Sequence, residues 1–195
     1  MKLIIATHNP HKVIEIKQLL KDQDRFEVLS LDDIQYEHDV EETARSFEGN
    51  AILKAETIMK DVQEWVIADD SGLEIEALNN EPGVYSARYL GEDVPFSVKN
   101  QHLLDRMNGI SHRKARFVSV VTLSRPRMMP VCFRGEIEGE IGYEAKGDQG
   151  FGYDPIFYPL GYSQSFSELN LEEKNQISHR AKALSQVLDY LKETL

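Results

Sequence analysis

One octapeptide, Val66-Ile67-Ala68-Asp69-Asp70-Ser71-Gly72-Leu73, constrains the fold of this chain more than any other stretch. An apolar run passes directly into two carboxylates, a hydroxyl and a glycine. A buried strand reads this way when it delivers acids to the rim of an open α/β sheet, where ligands collect. Adjacent side chains on a strand point to opposite faces, so Asp69 and Asp70 are expected to do different work. Asp-Ser-Gly is also ordinary turn chemistry. From the octapeptide alone the two readings stand level.

The flanking sequence favours the sheet. Lys2 to Ala6 reads as a first strand, and Pro10 suits the first turn of the helix that follows. Val13, Ile16, Leu19 and Leu20 recur at helical spacing, which predicts an amphipathic helix ending near Asp22. Phe26 to Leu31 reads as a second strand, and strand–helix–strand order implies parallel pairing. Asp32 to Glu48 is acidic and aperiodic, the pattern of a solvated loop. Ala51, Ile52, Ala55, Ile58, Met59 and Val62 mark a second helix leading into the octapeptide. Beyond it come a turn cluster at Asn79–Gly83 and a helix around Pro95 to Met107.

Ala115–Leu123 and Met129–Ile141 read as neighbouring antiparallel strands about a turn at Pro126-Arg127, so a mixed sheet is expected. Gly142 to Gly161 reads as a functional loop followed by a short strand at Pro155–Tyr158. A final helix is expected from Ser178, its N-cap, with Ala181, Leu184, Leu188 and Leu191 on one face. No repeat, low-complexity segment or linker divides the 195 residues, so one domain over 1–195, with two lobes, is expected.

Charge narrows the functional classes. With a net charge of −11 the surface repels phosphate backbones, which disfavours nucleic acid as the main partner. No apolar run approaches the roughly 20 residues that span a bilayer. The single cysteine, Cys132, fits a reducing compartment, and the cytoplasm is the expected location. A small anionic substrate remains compatible, provided metal ions and a local cluster of cations outweigh the field.

Four segments supply such groups. Thr7-His8-Asn9-Pro10-His11-Lys12 joins a strand end to a helix start, where backbone N–H groups, a hydroxyl and an ammonium favour phosphate. The carboxylates of Glu41-Glu42-Thr43 could join Asp70 in an oxygen-only site of the kind Mg²⁺ prefers. Lys54 is either a second phosphate contact or an exposed helix lysine. Gly150-Phe151-Gly152-Tyr153-Asp154-Pro155 offers close backbone approach, two flat rings for a base and an acceptor for its edge. It reads equally as an aromatic plug in the core. Lys174 and Ser178-His179-Arg180 gather three potential cations where a helix macrodipole would disfavour them, which points to binding.

Taken together, these motifs resemble the inosine triphosphate pyrophosphatase family essentially from end to end. The resemblance covers the Thr7…Lys12 opening, Glu41-Glu42-Thr43 with Phe47, and Asn50-Ala51 with Lys54-Ala55. It continues through Ala68-Asp69-Asp70-Ser71-Gly72, Pro82-Gly83-Val84-Tyr85-Ser86-Ala87-Arg88, Phe151 to Phe157, and Lys174 with Ser178-His179-Arg180. It implies a mixed α/β fold with an elongated central sheet, two lobes, a nucleotide cleft between them, and a homodimer. The implied reaction cleaves a purine nucleoside triphosphate between its α and β phosphates, with ITP, dITP and XTP preferred over ATP or GTP.

By position, Asp70 would be the general base and a metal ligand, with Glu41 a further Mg²⁺ ligand and Glu42 or Asp69 sharing that work. Thr7, His8, Asn9, Pro10, His11, Lys12, Lys54, Lys174 and Arg180 would hold the triphosphate. Phe151, Gly152, Tyr153, Asp154, His179 and Arg180 would surround the base, and Ser71 would touch substrate. Two positions depart from the family pattern, since His11 and Ala44 stand where glycine is common. Two other readings compete: an aspartyl phosphomonoesterase, which usually needs Asp-x-Asp, and a nucleotide-binding module without turnover.

Overall fold

The structure, a computed structural model, describes residues 1–194. A seven-stranded mixed sheet runs in the order β2-β1-β3-β5-β6-β7, with β4 pairing β3. Here β1 is Lys2–Ile5, β2 Glu27–Ser30, β3 Trp65–Ile75, β4 Glu81–Pro82, β5 Lys114–Ser124, β6 Val131–Ile141 and β7 Phe157–Pro159. β1 pairs in parallel with both β2 and β3, while β3–β4 and β6–β7 are antiparallel. The helices are α1 (Pro10–Leu19), α2 (Phe47–Val62), α3 (Phe96–Arg106), α4 (Leu171–Ile177) and α5 (His179–Thr194). The expected mixed α/β class is the one found.

The chain divides into two compact units. The first comprises Met1–Asp70, Ser119–Gly135 and Arg180–Leu195, and the second Ser71–Val118 and Glu136–His179. In the first unit β1 and the first half of β3 are buried on both faces, which explains their unbroken apolar runs. Leu3, Ile5 and Ile67 pack with Ile16 of α1 and Leu184 and Val187 of α5. Ile4, Ala6, Val66 and Ala68 pack with Ala55 and Ile58 of α2. The period-2 alternation of a strand thus sends odd-numbered β3 residues toward α1 and α5 and even-numbered ones toward α2. The second unit has its own core, with Leu73, Ile75, Leu103, Phe117, Ile137, Phe157 and Phe166 among its buried residues.

Local chemistry sets the element ends. Asn9 caps α1 by accepting from the His11 and Lys12 N–H groups, and Pro10 takes the first helical position, which needs no donor. Ser46 caps α2, and Gln63 closes it in the left-handed conformation at φ 55°. Three expectations are corrected. β3 does not stop at the acids: Leu73 and Ile75 are buried in alternation with Glu74, so the strand runs eleven residues with Asp69 and Asp70 inside it. Its pairing with β1 does stop at Ile67, so the acids lie past the end of that neighbour. Asp154–Ile156 is a 3-10 turn, with Pro155 inside it, and the strand is limited to Phe157–Pro159. Finally, α4 precedes the last helix, its start fixed by a reciprocal Asn170–Glu173 capping box.

Candidate active site

The two acids of β3 occupy opposite environments, as the alternation dictates. Asp69, 2% exposed, follows Ile67 onto the α1 and α5 side. Lys12 Nζ lies 2.7 Å from Asp69 Oδ2 and Arg180 Nη2 3.2 Å, while Ser119 Oγ donates to Oδ1 at 2.5 Å. Burial alone would raise the Asp69 carboxyl. The charges of Arg180 and Lys12, with the hydrogen bonds from Lys12 and Ser119, overcome it and hold the group well below the usual carboxylate range. Arg180 also bonds Glu15 of α1, so a buried acid–cation network ties α1, β3 and α5 together.

Asp70, 5% exposed, follows Ala68 onto the α2 side. Asn50 Nδ2 donates to its Oδ2 at 3.1 Å, and Lys54 Nζ stands 3.9 Å from Oδ1. The same ammonium pairs with Glu42 Oε1 at 2.6 Å and donates to the Asp69 carbonyl at 2.8 Å. Burial pushes the Asp70 carboxyl up to about 6 and the Glu42 charge adds to the rise, while Lys54, Lys12 and Asn50 pull the other way. One strand therefore carries an acid held charged beside an acid tuned toward neutrality, the divergence that marks groups able to exchange a proton.

The acidic segment before α2 brings Glu42 to this cluster. Glu41 is exposed and enters no ion pair or side-chain hydrogen bond among the described residues. No group of three or more His, Cys, Asp or Glu side chains suited to a metal occurs among them either. Asp70 and Glu42 therefore offer two carboxylates around one point, all oxygen. A hard divalent cation that keeps most of its waters and takes substrate phosphates is compatible with such a donor set, whereas a caged ion is not.

The first turn is organised by Asn9. Its own N–H bonds Thr7 Oγ1 at 3.1 Å, and its Oδ1 takes the His11 and Lys12 N–H groups at 3.0 and 3.2 Å. Those helix-start donors are engaged within the turn, which leaves the Lys12 ammonium as its principal cation. His8 lies 3.5 Å from Asp32 and lines an open cavity of about 820 Å³ with Gln35, Tyr36, Glu37 and Asp39. Three acids give that cavity the wrong sign for phosphate. Pro10 and His11 are exposed.

In the second unit, Asp154 Oδ2 accepts from Lys174 Nζ at 2.7 Å and from the Phe151 N–H at 2.9 Å. The Lys174 ammonium also lies over the Phe151 ring, 4.8 Å from its centroid. Gly150 and Gly152 hold φ of 74° and 69°, and a Cβ at Gly150 would overlap Asp154 Oδ2. His179 is buried and stacks on Phe117 with centroids 4.8 Å apart and rings 10° from parallel. Ser71 is half-buried on β3. Glu15, Asn50 and Ser119 support the two acids without having been assigned a role from sequence. Glu15 had a signal, lying one helical turn beyond Lys12.

Fold and site together define a mixed α/β protein whose third strand carries a pair of differently tuned acids among buried cations. The chain belongs to the Ham1 family, whose profile matches residues 3–190. It is 46% identical to a dITP/XTP pyrophosphatase of Porphyromonas gingivalis over 97% of both chains. The structure of the Staphylococcus aureus Ham1 protein superposes with a TM-score of 0.89 at 40% identity, covering 100% of each chain. A nucleoside-triphosphatase described as a dITP/XTP pyrophosphatase, from Mycobacterium abscessus, matches at TM-score 0.75 and 39% identity over 96% of this chain and 99% of that one. These matches bear out the resemblance drawn from the motifs.

Proposed function

We propose that the protein hydrolyses non-standard purine nucleoside triphosphates, ITP, dITP and XTP, to the monophosphate and pyrophosphate. The observation that carries this reading is the buried Asp70 carboxylate set beside Lys54, which pairs with Glu42. A base poised near 6 takes a proton from water at neutral pH. The resulting oxygen nucleophile adds to the α-phosphorus, the bond to the α–β bridging oxygen breaks, and pyrophosphate leaves with that electron pair. Lys12 and Lys54 meet the phosphate charge, exchanging their present carboxylate partners for phosphate oxygens. Mg²⁺ would be held by Asp70 with Glu42 or Glu41, and would supply neutralisation of phosphate charge and a lowered water pKa.

For the base, the Phe151–Asp154 loop supplies the candidate groups. Phe151 offers a flat face whose position is set by Lys174, and Asp154 fixes the loop through the Phe151 N–H. Donors aimed at a 6-keto group accept hypoxanthine and xanthine and reject adenine, whose 6-amino group donates. The activity for which the relatives are named agrees with this substrate class. The reading also takes the protein as a cytoplasmic homodimer whose single domain spans 1–195, with sedimentation as the test of the dimer.

The direct test is an assay of ITP, XTP, dITP, GTP and ATP with and without Mg²⁺, reading pyrophosphate and orthophosphate separately. Metal-dependent pyrophosphate from ITP and XTP, with little from ATP or GTP, is expected. Orthophosphate as the first product would move the attack to the terminal phosphate. No turnover would leave a binding module.

A further inference from the structure

The motif Pro82–Arg88 and the helix α3 take no part in the chemistry above, yet they hold the loop assigned to the base. Ser86 Oγ donates to the Gly83 carbonyl at 2.6 Å and accepts the Leu73 N–H at 2.9 Å, which locks this turn to β3. Tyr153 Oη donates to the Ser86 carbonyl at 2.8 Å, and Lys99 Nζ of α3 donates to the neighbouring Ala87 carbonyl at 2.6 Å. Phe96 of α3 meets the Tyr153 ring edge-on at 5.2 Å. Asn100, the residue after Lys99 on α3, donates from Nδ2 to the Gly152 carbonyl at 3.0 Å. Turn, helix and loop therefore form a closed triangle within the second unit.

The Asn100 contact falls on a particular peptide. Phe151 to Asp154 is a β-turn closed by the Asp154 N–H to the Phe151 carbonyl at 3.3 Å, with φ of 69° at Gly152 and −95° at Tyr153. Positive then negative φ belongs to the type II′ family, which favours glycine at the first central position. The Gly152 carbonyl is the central one of that turn. Because a trans peptide is planar, fixing this carbonyl toward α3 fixes the Tyr153 N–H on the opposite side. It also sets the angle at which the turn presents Phe151 and Asp154.

Asn100 is 4% exposed, and its Oδ1 has no hydrogen-bond partner among the described residues. A buried acceptor left unmet is unfavourable, and leucine would fill similar space without it. The side chain is therefore explained by its one working group, the Nδ2 donor.

We propose that Asn100 is a positioning residue for purine recognition: by holding the Gly152 carbonyl it sets the orientation of the Phe151–Asp154 turn that receives the base, and not of the groups that receive the phosphates. The proposal rests on the substrate reading above. Asn100→Leu removes the donor at similar volume, and Asn100→Asp removes it at the same shape. The variants are compared with wild type in ITP turnover, in inhibition by IMP and by pyrophosphate, and in Tm. Folded variants are expected to show KM for ITP and Ki for IMP raised about tenfold, with kcat and the pyrophosphate Ki within about twofold.

A general structural role would weaken IMP and pyrophosphate together, and that outcome overturns the proposal, as does no change in either. Failure of both variants to fold would make Asn100 a core residue and overturn it too. Wild-type protein that does not turn over ITP would instead overturn the substrate reading, so the two failures are told apart by which protein fails.

Discussion

Replacing Asp70 with asparagine separates two properties that its carboxyl combines. The group is raised on folding from 3.8 to about 6, so it favours the folded state while protonated. That contribution is complete below about pH 4 and is lost as pH rises through 6. In metal-free protein at pH 8 the ionised group should oppose folding by up to roughly 3 kcal/mol, about two pH units at 1.36 kcal/mol each. Asp70→Asn in chelator is therefore expected to melt above wild type at pH 8, with the difference gone by pH 4. Assayed with Mg²⁺ present, the same variant is expected to lose turnover by about a thousandfold while retaining nucleotide binding. Equal melting at pH 8 would show that the buried charge is already compensated. Its neighbour behaves oppositely. Asp69 is held charged by Arg180, Lys12 and Ser119, so Asp69→Ala leaves buried cations short of a partner and should cost about 3–5 kcal/mol in urea unfolding. That the two acids differ was legible from strand alternation alone. Which acid faces which helix was not, because it depends on which of α1, α2 and α5 covers each face, and that is settled by packing between distant segments.

At the level of elements, the base loop depends on backbone conformations that only glycine adopts cheaply. Gly150→Ala would strain a φ of 74° and drive a methyl into Asp154, unseating the carboxylate that Lys174 and the Phe151 N–H share. A KM for ITP raised about tenfold or more, with kcat far less affected, is the expected result in steady-state kinetics. Asn9→Ala removes the α1 cap and should lower stability by about 1 kcal/mol in the same denaturant titration. Helices α1 and α2 were legible because their apolar periodicity is strong and their starts carry Pro10 or precede long amphipathic runs. Two elements escaped for identifiable reasons. β3 hides polar residues in its middle, where buried partners such as Asn50 and Ser119 satisfy them, so the apolar run underestimates its length. α4 is only seven residues long, too short for periodicity, although Asn170-x-x-Glu173 announced its start.

For the molecule as a whole, the balance between global and local charge decides how substrate is captured. The net charge of −11 repels a triphosphate. The cations of the candidate site do little to offset this at a distance, since Lys12, Lys54, Lys174 and Arg180 each pair with a carboxylate. Raising ionic strength from about 10 to 100 mM shortens the Debye length from roughly 30 to 10 Å, so kcat/KM for ITP is expected to rise about twofold in stopped-time assays at low substrate. A fall would mean that local positive potential dominates capture. The boundaries of the two units carry no mark in the sequence, because each unit is assembled from separated stretches.

That interleaving has a genetic consequence. The chain passes between the units at Asp70–Ser71, Val118–Ser119, Gly135–Glu136 and His179–Arg180. A single recombination event anywhere within it joins pieces of the first unit from two different parents. Exchange of either unit intact between relatives takes four junctions, three of them inside strands β3, β5 and β6 and one at the start of α5. Variation in such a gene is therefore expected to accumulate by substitution at individual positions rather than by shuffling of parts.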